Sequence, residues 1–311
     1  MIFCTDPQFH MEEPCVVTFG KFDGIHLGHQ RLIKSAVDYG RKHGIKVVLC
    51  SFDMRFWRDG IALNRHKIAS DEDRIGLCEL LGVDVLYEYP FDDLIAATEP
   101  VDFLNRFVKE KLKAAAVVVG TDWHFGSHRG GDAELLQKYS QSFGYEAIVV
   151  DKVLRDGREI SSTWIREAIK EGDLELVNSL LGYEYAVSGT VSHGHGRGEK
   201  FNCPTINLDA GEDRELPPFG VYVSRVFLSA PGRPAEEYEG VTNVGVRPTV
   251  SQSGRISVET NILDFDQDVY GRKVKVALLH FVRPEKKFAD TEELTRQLCA
   301  DVAYAREYFH T

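Results

Sequence analysis

Residues 15–29 read Cys15-Val16-Val17-Thr18-Phe19-Gly20-Lys21-Phe22-Asp23-Gly24-Ile25-His26-Leu27-Gly28-His29. An apolar run ends in two glycines and an aspartate, and two histidines follow three residues apart. If a helix opens at this point, His26 and His29 share one face of it. The backbone N–H groups of a helix start favour anions, and two imidazoles add donors aimed at the same place. The stretch therefore reads as strand, turn and helix built around a polyphosphate, without the Gly-Lys-Ser/Thr close of a Walker loop. A metal half-site and a pair of surface histidines are the competing readings of His-x-x-His. Zinc needs further ligands at suitable spacing, and no Cys or Glu nearby supplies one.

Outward from this stretch the first half alternates. Apolar runs fall at 16–19, 46–52, 83–89, 115–120 and 146–150, with helix-type segments at 28–43, 71–81, 101–113 and 132–143. Near-continuous apolar strands alternating with helices predict a parallel sheet covered on both faces, an α/β Rossmann-like domain. Ligands of such sheets lie beyond the carboxyl ends of the strands. Four polar clusters sit there: 20–29, Ser51-Phe52-Asp53, Gly120-Thr121-Asp122-Trp123-His124-Phe125-Gly126, and Ile160-Ser161-Ser162-Thr163-Trp164-Ile165-Arg166. The last opens a helix expected to run to about Leu181. Ser162 and Thr163 are its candidate caps, and Arg166 lies one turn on.

After Gly182 the pattern changes to closely spaced β-type runs at 185–192, 203–208, 220–227, 238–246, 256–264 and 273–281, and then a helix from Thr291 to about Tyr308. Strands without intervening helices predict an antiparallel six-stranded barrel with a C-terminal helix. The expected domains are 1–183 and 184–311. Between the first two barrel strands lies a glycine-rich basic loop containing Gly194 and Gly196, able to present N–H groups to phosphate. On the next strand Thr205 and Asn207 share a face while Ile206 and Leu208 face the core. A hydroxyl beside an amide suits a hard cation such as magnesium. Glu259, on a later strand, reads equally as a solvated outward carboxylate or as a general base for an alcohol attacking ATP.

The 311 residues are 43% hydrophobic and 27% charged, with a net charge of −11. That balance argues against a sequence-independent grip on nucleic acid, which needs a basic face. No apolar run is long enough to span a membrane and no signal-peptide pattern precedes the first strand. Six scattered cysteines without a Cys-x-x-Cys pair read as reduced structural thiols of a cytoplasmic protein.

Taken together, GKFDGIHLGH, VVGTDWHFGSHRGGD, ISSTWIR, CPTINL, GVYV, VGVRPTV, VETNILDFDQDVYG and FVRPEKKF occur in an order and spacing that resembles the bacterial bifunctional riboflavin kinase/FMN adenylyltransferases over nearly the whole chain. The resemblance implies an N-terminal nucleotidyltransferase that joins FMN to the AMP part of ATP, giving FAD and pyrophosphate. It also implies a C-terminal kinase that makes FMN from riboflavin and ATP. It assigns His26, His29 and Arg166 to catalysis of adenylyl transfer. Gly20, Phe22, Asp23, Gly24, Gly28, Asp122, Ser162 and Thr163 would surround that ATP. In the kinase, Gly194, Gly196, Thr205 and Asn207 would hold Mg-ATP, with Mg²⁺ on Thr205 and Asn207, and Glu259 would take the proton of the ribityl 5′-hydroxyl. Small molecules are then the partners, with no nucleic acid or membrane and with weak self-association allowed. Two departures from the family's usual residues stand out: Asn202-Cys203 and Ile206 around Pro204-Thr205, and Phe52-Asp53-Met54-Arg55-Phe56-Trp57 after the second strand. The alternatives are a chain with one active half, a transferase for another phosphate, and a non-catalytic flavin-binding module.

Overall fold

The computed structural model describes residues 1–53, 66–192, 205–209, 211, 213–230, 233–246 and 256–310. The chain forms two compact units: Met1–Asn64 with Asp71–Ser161, and Arg65–Ser70 with Ser162–Thr311.

The first unit holds six strands: β1 (Ile2–Cys4), β2 (Cys15–Phe19), β3 (Lys46–Asp53), β4 (Val85–Pro90), β5 (Ala114–Gly120) and β6 (Glu146–Val150). They lie in the order β1-β4-β3-β2-β5-β6, and every pairing is parallel. From β2 the chain builds outward through β3 and β4, then crosses to β5 on the other side. The crevice between β2 and β5 is therefore the topological switch point, where this class of sheet takes its ligand. Alternate residues of β2 enter opposite cores. Val16 packs with Ile33, Ala36, Val37 and Cys78 of helices α1 (Leu27–His43) and α2 (Asp71–Leu81). Cys15, Val17 and Phe19 pack with Phe103, Leu104, Phe107 and Leu136 on the other side.

That second face is covered by a short helix α3 (Asp93–Ala96), by α4 (Pro100–Asp102) running into a π-helix (Phe103–Lys111), and by α5 (Ala133–Phe143). The 101–113 segment was expected to be an ordinary helix. Instead the Leu112 N–H donates to the Phe107 carbonyl at 3.0 Å, a five-residue step that widens the turn. The edge strand β1 has no counterpart among the sequence expectations. A two-residue ladder, β7 (Leu154–Arg155) with β8 (Arg158–Glu159), follows β6.

In the second unit the helix expected over 162–181 is two helices, α6 (Ser162–Glu171) and α7 (Leu174–Leu181). Gly172 adopts φ +79°, and Asp173 caps α7 by accepting from the Leu176 N–H at 2.9 Å. A left-handed glycine followed by an aspartate stops one helix and starts the next.

The barrel is closed and antiparallel: β9 (Ala186–Ser192), β10 (Thr205–Asp209), β11 (Gly220–Ala230), β12 (Arg233–Val246), β13 (Ile256–Ile262) and β14 (Lys273–Pro284), in the order β10-β13-β12-β11-β14-β9. Its interior carries Leu208, Tyr222, Val226, Val244, Val258 and Val276, all fully buried. Three buried hydroxyls satisfy one another there: Thr242 Oγ1 lies 2.7 Å from Ser224 Oγ and 2.9 Å from Thr260 Oγ1. The last helix, α8 (Thr291–His310), lays Val302, Ala305 and Phe309 against Val223 and Val241 of the outer face. Its start is a capping arrangement, with Asp290 accepting from the Glu293 N–H and Glu293 accepting from the Ala289 N–H.

Burial pushes the Cys15 thiol up to about 12 and the Cys78 thiol to about 11, and holds Cys50 well above its ordinary range. These thiols stay protonated and behave as small apolar groups. No helix among the described residues is long and apolar enough to cross a membrane.

Candidate functional sites

The turn after β2 is held in an unusual backbone. Phe22 has φ +49° and Ile25 φ +37°, a region that costs a β-branched residue about 1–3 kcal/mol. Both side chains are completely buried under α1, and burial of a Phe or Ile is worth about 1.5–3 kcal/mol each. The core thus drives the strain that shapes the loop. Gly24, at φ +79°, supplies the left-handed step between them. At Gly20 an added Cβ would press on the Phe22 ring at 3.1 Å.

His26 is the N-cap of α1, and its Nδ1 accepts from the His29 N–H at 3.4 Å. Nδ1 being an acceptor, the proton sits on Nε2. The His29 ring stacks on His26 with centroids 3.7 Å apart and 21° between planes, and Phe22 closes its other side at 5.2 Å. His29 Nδ1 is buried with no partner among the described residues. A proton on Nε2 leaves only a lone pair uncompensated there, so both imidazoles offer Nε2–H. Gly28 makes the stack possible, because a Cβ at that position would meet the His26 ring at 3.1 Å.

Burial lowers the His26 pKa to about 4. Burial and then the neighbouring His26 hold His29 well below the usual histidine range. Both are neutral donors near pH 7, and an adjacent polyphosphate would raise them. The folded value of His26 lies below its unfolded value near 6.5, so the stability linked to it is complete above 6.5 and is lost as pH falls through 4. We expect a loss of order 3 kcal/mol across that window. Thermal unfolding of the wild type followed from pH 7 to 4 should decline more steeply than that of His26→Gln. Parallel curves would remove His26 as the cause.

Asp122 stands past β5, on the other side of the switch point. Lys152 Nζ bridges Asp122 Oδ2 at 3.1 Å and Glu159 Oε2 at 2.6 Å, and Glu159 and then Asp122 raise the lysine above its ordinary range. Neither partner was singled out from the sequence. Next to Asp122 in the chain, Trp123 belongs to an aromatic set: Phe19 stacks on Trp123 at 5.2 Å and on Phe52 at 6.4 Å, and Trp123 stacks on Phe125 at 4.5 Å. Trp123 and Phe52 are half-buried and form its accessible part.

Of the ISSTWIR residues, Ile160 and Ser161 end the first unit, and Ser162 to Arg166 open the second. Helix α6 begins at Ser162, so Ser161 takes the cap position, and Ser162 and Thr163 form the first turn rather than the cap. Arg166 donates from Nε to the His66 carbonyl at 3.1 Å and from Nη1 to the Ser162 carbonyl at 3.2 Å, tying the helix start to His66.

In the barrel, Asn207 pairs directly with Glu259 and Thr205 with Asn261. Ile206 turns to the interior with 7% exposure, so this departure from the family pattern is a packing change inside the barrel. Gly194, Gly196, residues 202–204 and residues 54–57 lie outside the described residues. Thr205, Glu259 and Asn261 line a cavity of about 280 Å³ with Val221, Val241 and Asn243 of the sheet. Its far wall is Leu294, Leu298 and Val302 of α8. Arg283 fixes that wall through a two-pronged ion pair with the buried Asp301, Nε to Oδ1 at 2.9 Å and Nη2 to Oδ2 at 2.6 Å. Asn243, Asn261, Arg283, Glu285 and Asp301 were missed as site residues, although Asn243 stands beside the VGVRPTV motif and Arg283 and Glu285 lie within FVRPEKKF.

The FAD synthetase family profile matches residues 8–164, and the riboflavin kinase profile matches residues 181–309. The bifunctional riboflavin kinase/FMN adenylyltransferase of Bacillus subtilis is 33% identical over 318 residues, covering 99% of this chain and 98% of its own. That of Escherichia coli K12 is 34% identical over 303 residues, covering 96% and 94%. A crystal structure described as a macrolide-efflux protein from Streptococcus pneumoniae superposes with a TM-score of 0.86 at 32% identity, over 98% of this chain and 99% of that one.

Proposed function

We propose how the work is divided in a chain that belongs to the bifunctional riboflavin kinase/FMN adenylyltransferases. The protein is a transferase of FAD biosynthesis: it phosphorylates riboflavin with ATP to give FMN, and adenylylates FMN with a second ATP to give FAD and pyrophosphate. Residues 1–183 carry adenylyl transfer and 184–311 carry the kinase. The observation that supports the first assignment best is the stacked His26–His29 pair at the head of α1, at the switch point of a parallel sheet.

In adenylyl transfer an FMN phosphate oxygen attacks the α-phosphorus of ATP. The new P–O bond forms as the bond to the bridging oxygen breaks, and pyrophosphate leaves. The FMN phosphate is the nucleophile, so the protein's part is alignment and charge stabilisation. His26 and His29 donate to the triphosphate. Gly20, Phe22, Asp23, Gly24 and Gly28 shape the loop that carries them, and Asp122 lines the nucleotide site. Ser162, Thr163 and Arg166 bind phosphate, with Arg166 also securing the start of α6. Half-buried Trp123 and Phe52 give the flat flavin ring a stacking surface.

In the kinase, Glu259 takes the 5′-hydroxyl proton, the oxygen attacks the γ-phosphorus and ADP leaves. Among the described residues no three His, Cys, Asp or Glu side chains are grouped as a metal cage. That suits an ion carried in on the nucleotide, and the oxygen donors Thr205 and Asn207 match magnesium, which keeps several of its own waters. When bound, the ion neutralises charge developing on the phosphate oxygens. Gly194 and Gly196 contribute backbone donors to the same ATP. The acidic balance of the chain favours nucleotides and flavins held in local pockets over nucleic acid or membrane partners, and the reading places the enzyme in the cytoplasm with weak self-association allowed.

Both family profiles and relatives named for both activities support the two-activity reading over a single active half or a non-catalytic flavin binder. The test is to incubate the protein with riboflavin, Mg²⁺ and ATP and resolve the flavins by chromatography. FMN should form first and FAD after it. FMN without FAD refutes the adenylyltransferase, and FAD formed only from supplied FMN refutes the kinase.

A further inference from the structure

On the outer face of the barrel the strand register sets one row across five strands. Asn207 of β10 pairs with Glu259 of β13, and Glu259 with Asn243 of β12. Asn243 pairs in turn with Val221 of β11, and Val221 with Arg283 of β14. Directly opposed residues of antiparallel strands project to the same side, their Cβ atoms about 4.5–5.5 Å apart. Glu259 therefore stands between two amides, and Val221, Asn243, Glu259 and Arg283 all line the cavity closed by α8.

The Asn243 amide has a fixed orientation. Its Nδ2 donates to Glu285 Oε1 at 3.1 Å. A carboxylate only accepts, so this bond decides which end of the amide faces Glu285. Oδ1 is turned away from Glu285, and among the described residues nothing donates to it. Glu285 is seated over Gly245, where a Cβ would drive the carboxylate off its place. The device is thus a glycine that seats a carboxylate, a carboxylate that orients an amide, and an amide oxygen left without a donor among the described residues, on a residue that lines the cavity with Glu259.

We propose that Asn243 is the residue that orients the polyol chain of riboflavin. Its Oδ1 accepts the 4′-hydroxyl, which sets the neighbouring 5′-hydroxyl on Glu259. The proposal rests on the reading of Glu259 as the base. Two acceptors on adjacent strands fit two vicinal hydroxyls, one to be held and one to be deprotonated. A neutral amide is the group that can do this beside a base. A second carboxylate in its place would repel Glu259, and a lysine would pair with it. The ligand chemistry recognised is a flavin with a hydroxyl on the carbon next to the reacting one.

The test compares riboflavin with 4′-deoxyriboflavin, reading kcat/KM for phosphorylation in the full chain. Wild type should favour riboflavin by about tenfold or more, the discrimination expected of a site that leaves a buried acceptor unpaired. Asn243→Leu should lose that factor on riboflavin and treat the two substrates alike, while adenylylation of supplied FMN is unchanged. Retention of wild-type discrimination by Asn243→Leu overturns the proposal. Glu285→Gln provides a second variant should leucine disturb the barrel, since an amide there can donate as well as accept and releases the fixed orientation of Asn243. It should also lower the discrimination, and an unaltered ratio counts against the proposal. Failure of the base reading is separable. In Glu259→Gln, binding of the two flavins followed by fluorescence quenching should still differ through Asn243, whatever becomes of the phosphorylation rate.

Discussion

Replacing His29 with alanine is expected to abolish FAD synthesis from FMN while leaving FMN synthesis from riboflavin at the wild-type rate. The imidazole contributes one Nε2–H donor, and deleting a single preorganised donor to developing charge costs about 10²–10³ in kcat. The loss should sit at the upper end, because His29 also forms the stacking partner of His26 at 3.7 Å. Without it the His26 ring keeps its bond from the residue 29 N–H but gains freedom to turn about that single contact. Two donors are therefore degraded by one substitution. His29→Asn is a useful comparison, since its amide donates without restoring the stack, and it should recover only part of the rate. The readout is FAD formed from supplied FMN and ATP, with FMN formed from riboflavin as the internal control for folding. Equal loss of both activities would overturn the assignment of separate sites, and an unimpaired adenylyl transfer would overturn the role of His29.

The adenylyltransferase half was legible because its chemistry is local in sequence. The strand, the strained turn and the two imidazoles lie within fifteen consecutive residues. Parallel strands read directly as apolar runs, so β2, β3, β4, β5 and β6 could be placed from composition. β1 could not: three residues, mostly exposed, carry no period. The π-helix at Phe103–Lys111 has the composition of an α-helix, so nothing local announces its wider turn; Phe103, Leu104, Phe107 and Val108 are its buried face. The break at Gly172-Asp173 was readable in principle, since a glycine stop and an aspartate start stand side by side. The kinase site divided differently. Thr205 and Asn207 declare their common face through alternation, but Asn243 and Arg283 join them only through register between strands far apart in the chain. Register depends on bulges and turns that a single strand does not reveal, such as the shifts beside Tyr222 and Ser224 where β11 meets β14. The wall supplied by α8 depends likewise on the Arg283–Asp301 ion pair, whose partners lie on different elements.

Glu259→Gln is the complementary experiment, and it should remove riboflavin phosphorylation while leaving FMN adenylylation intact. Gln preserves the shape of the side chain and its place between Asn207 and Asn243, but it cannot take a proton from the 5′-hydroxyl. A positioned general base contributes about 10²–10⁴ in rate, so kcat should fall within that range. The KM for riboflavin should change little, because the cavity walls from Val221, Val241, Leu294 and Leu298 are untouched. The alternative role, a solvated outward carboxylate, predicts no more than a small change in either constant. Glu259 is half-buried and lines a cavity with six apolar side chains, and the rate of the glutamine variant separates the two roles. Glu259→Asp keeps the base but shortens its reach by one methylene, and should retain a small residual rate that the glutamine variant lacks. A glutamine variant within tenfold of the wild-type kcat would rule out Glu259 as the base. Loss of FMN adenylylation in the same variant would show damage beyond the barrel. In the expected case, riboflavin added to the variant stays unphosphorylated while supplied FMN is still converted to FAD, the mirror image of the His29→Ala result.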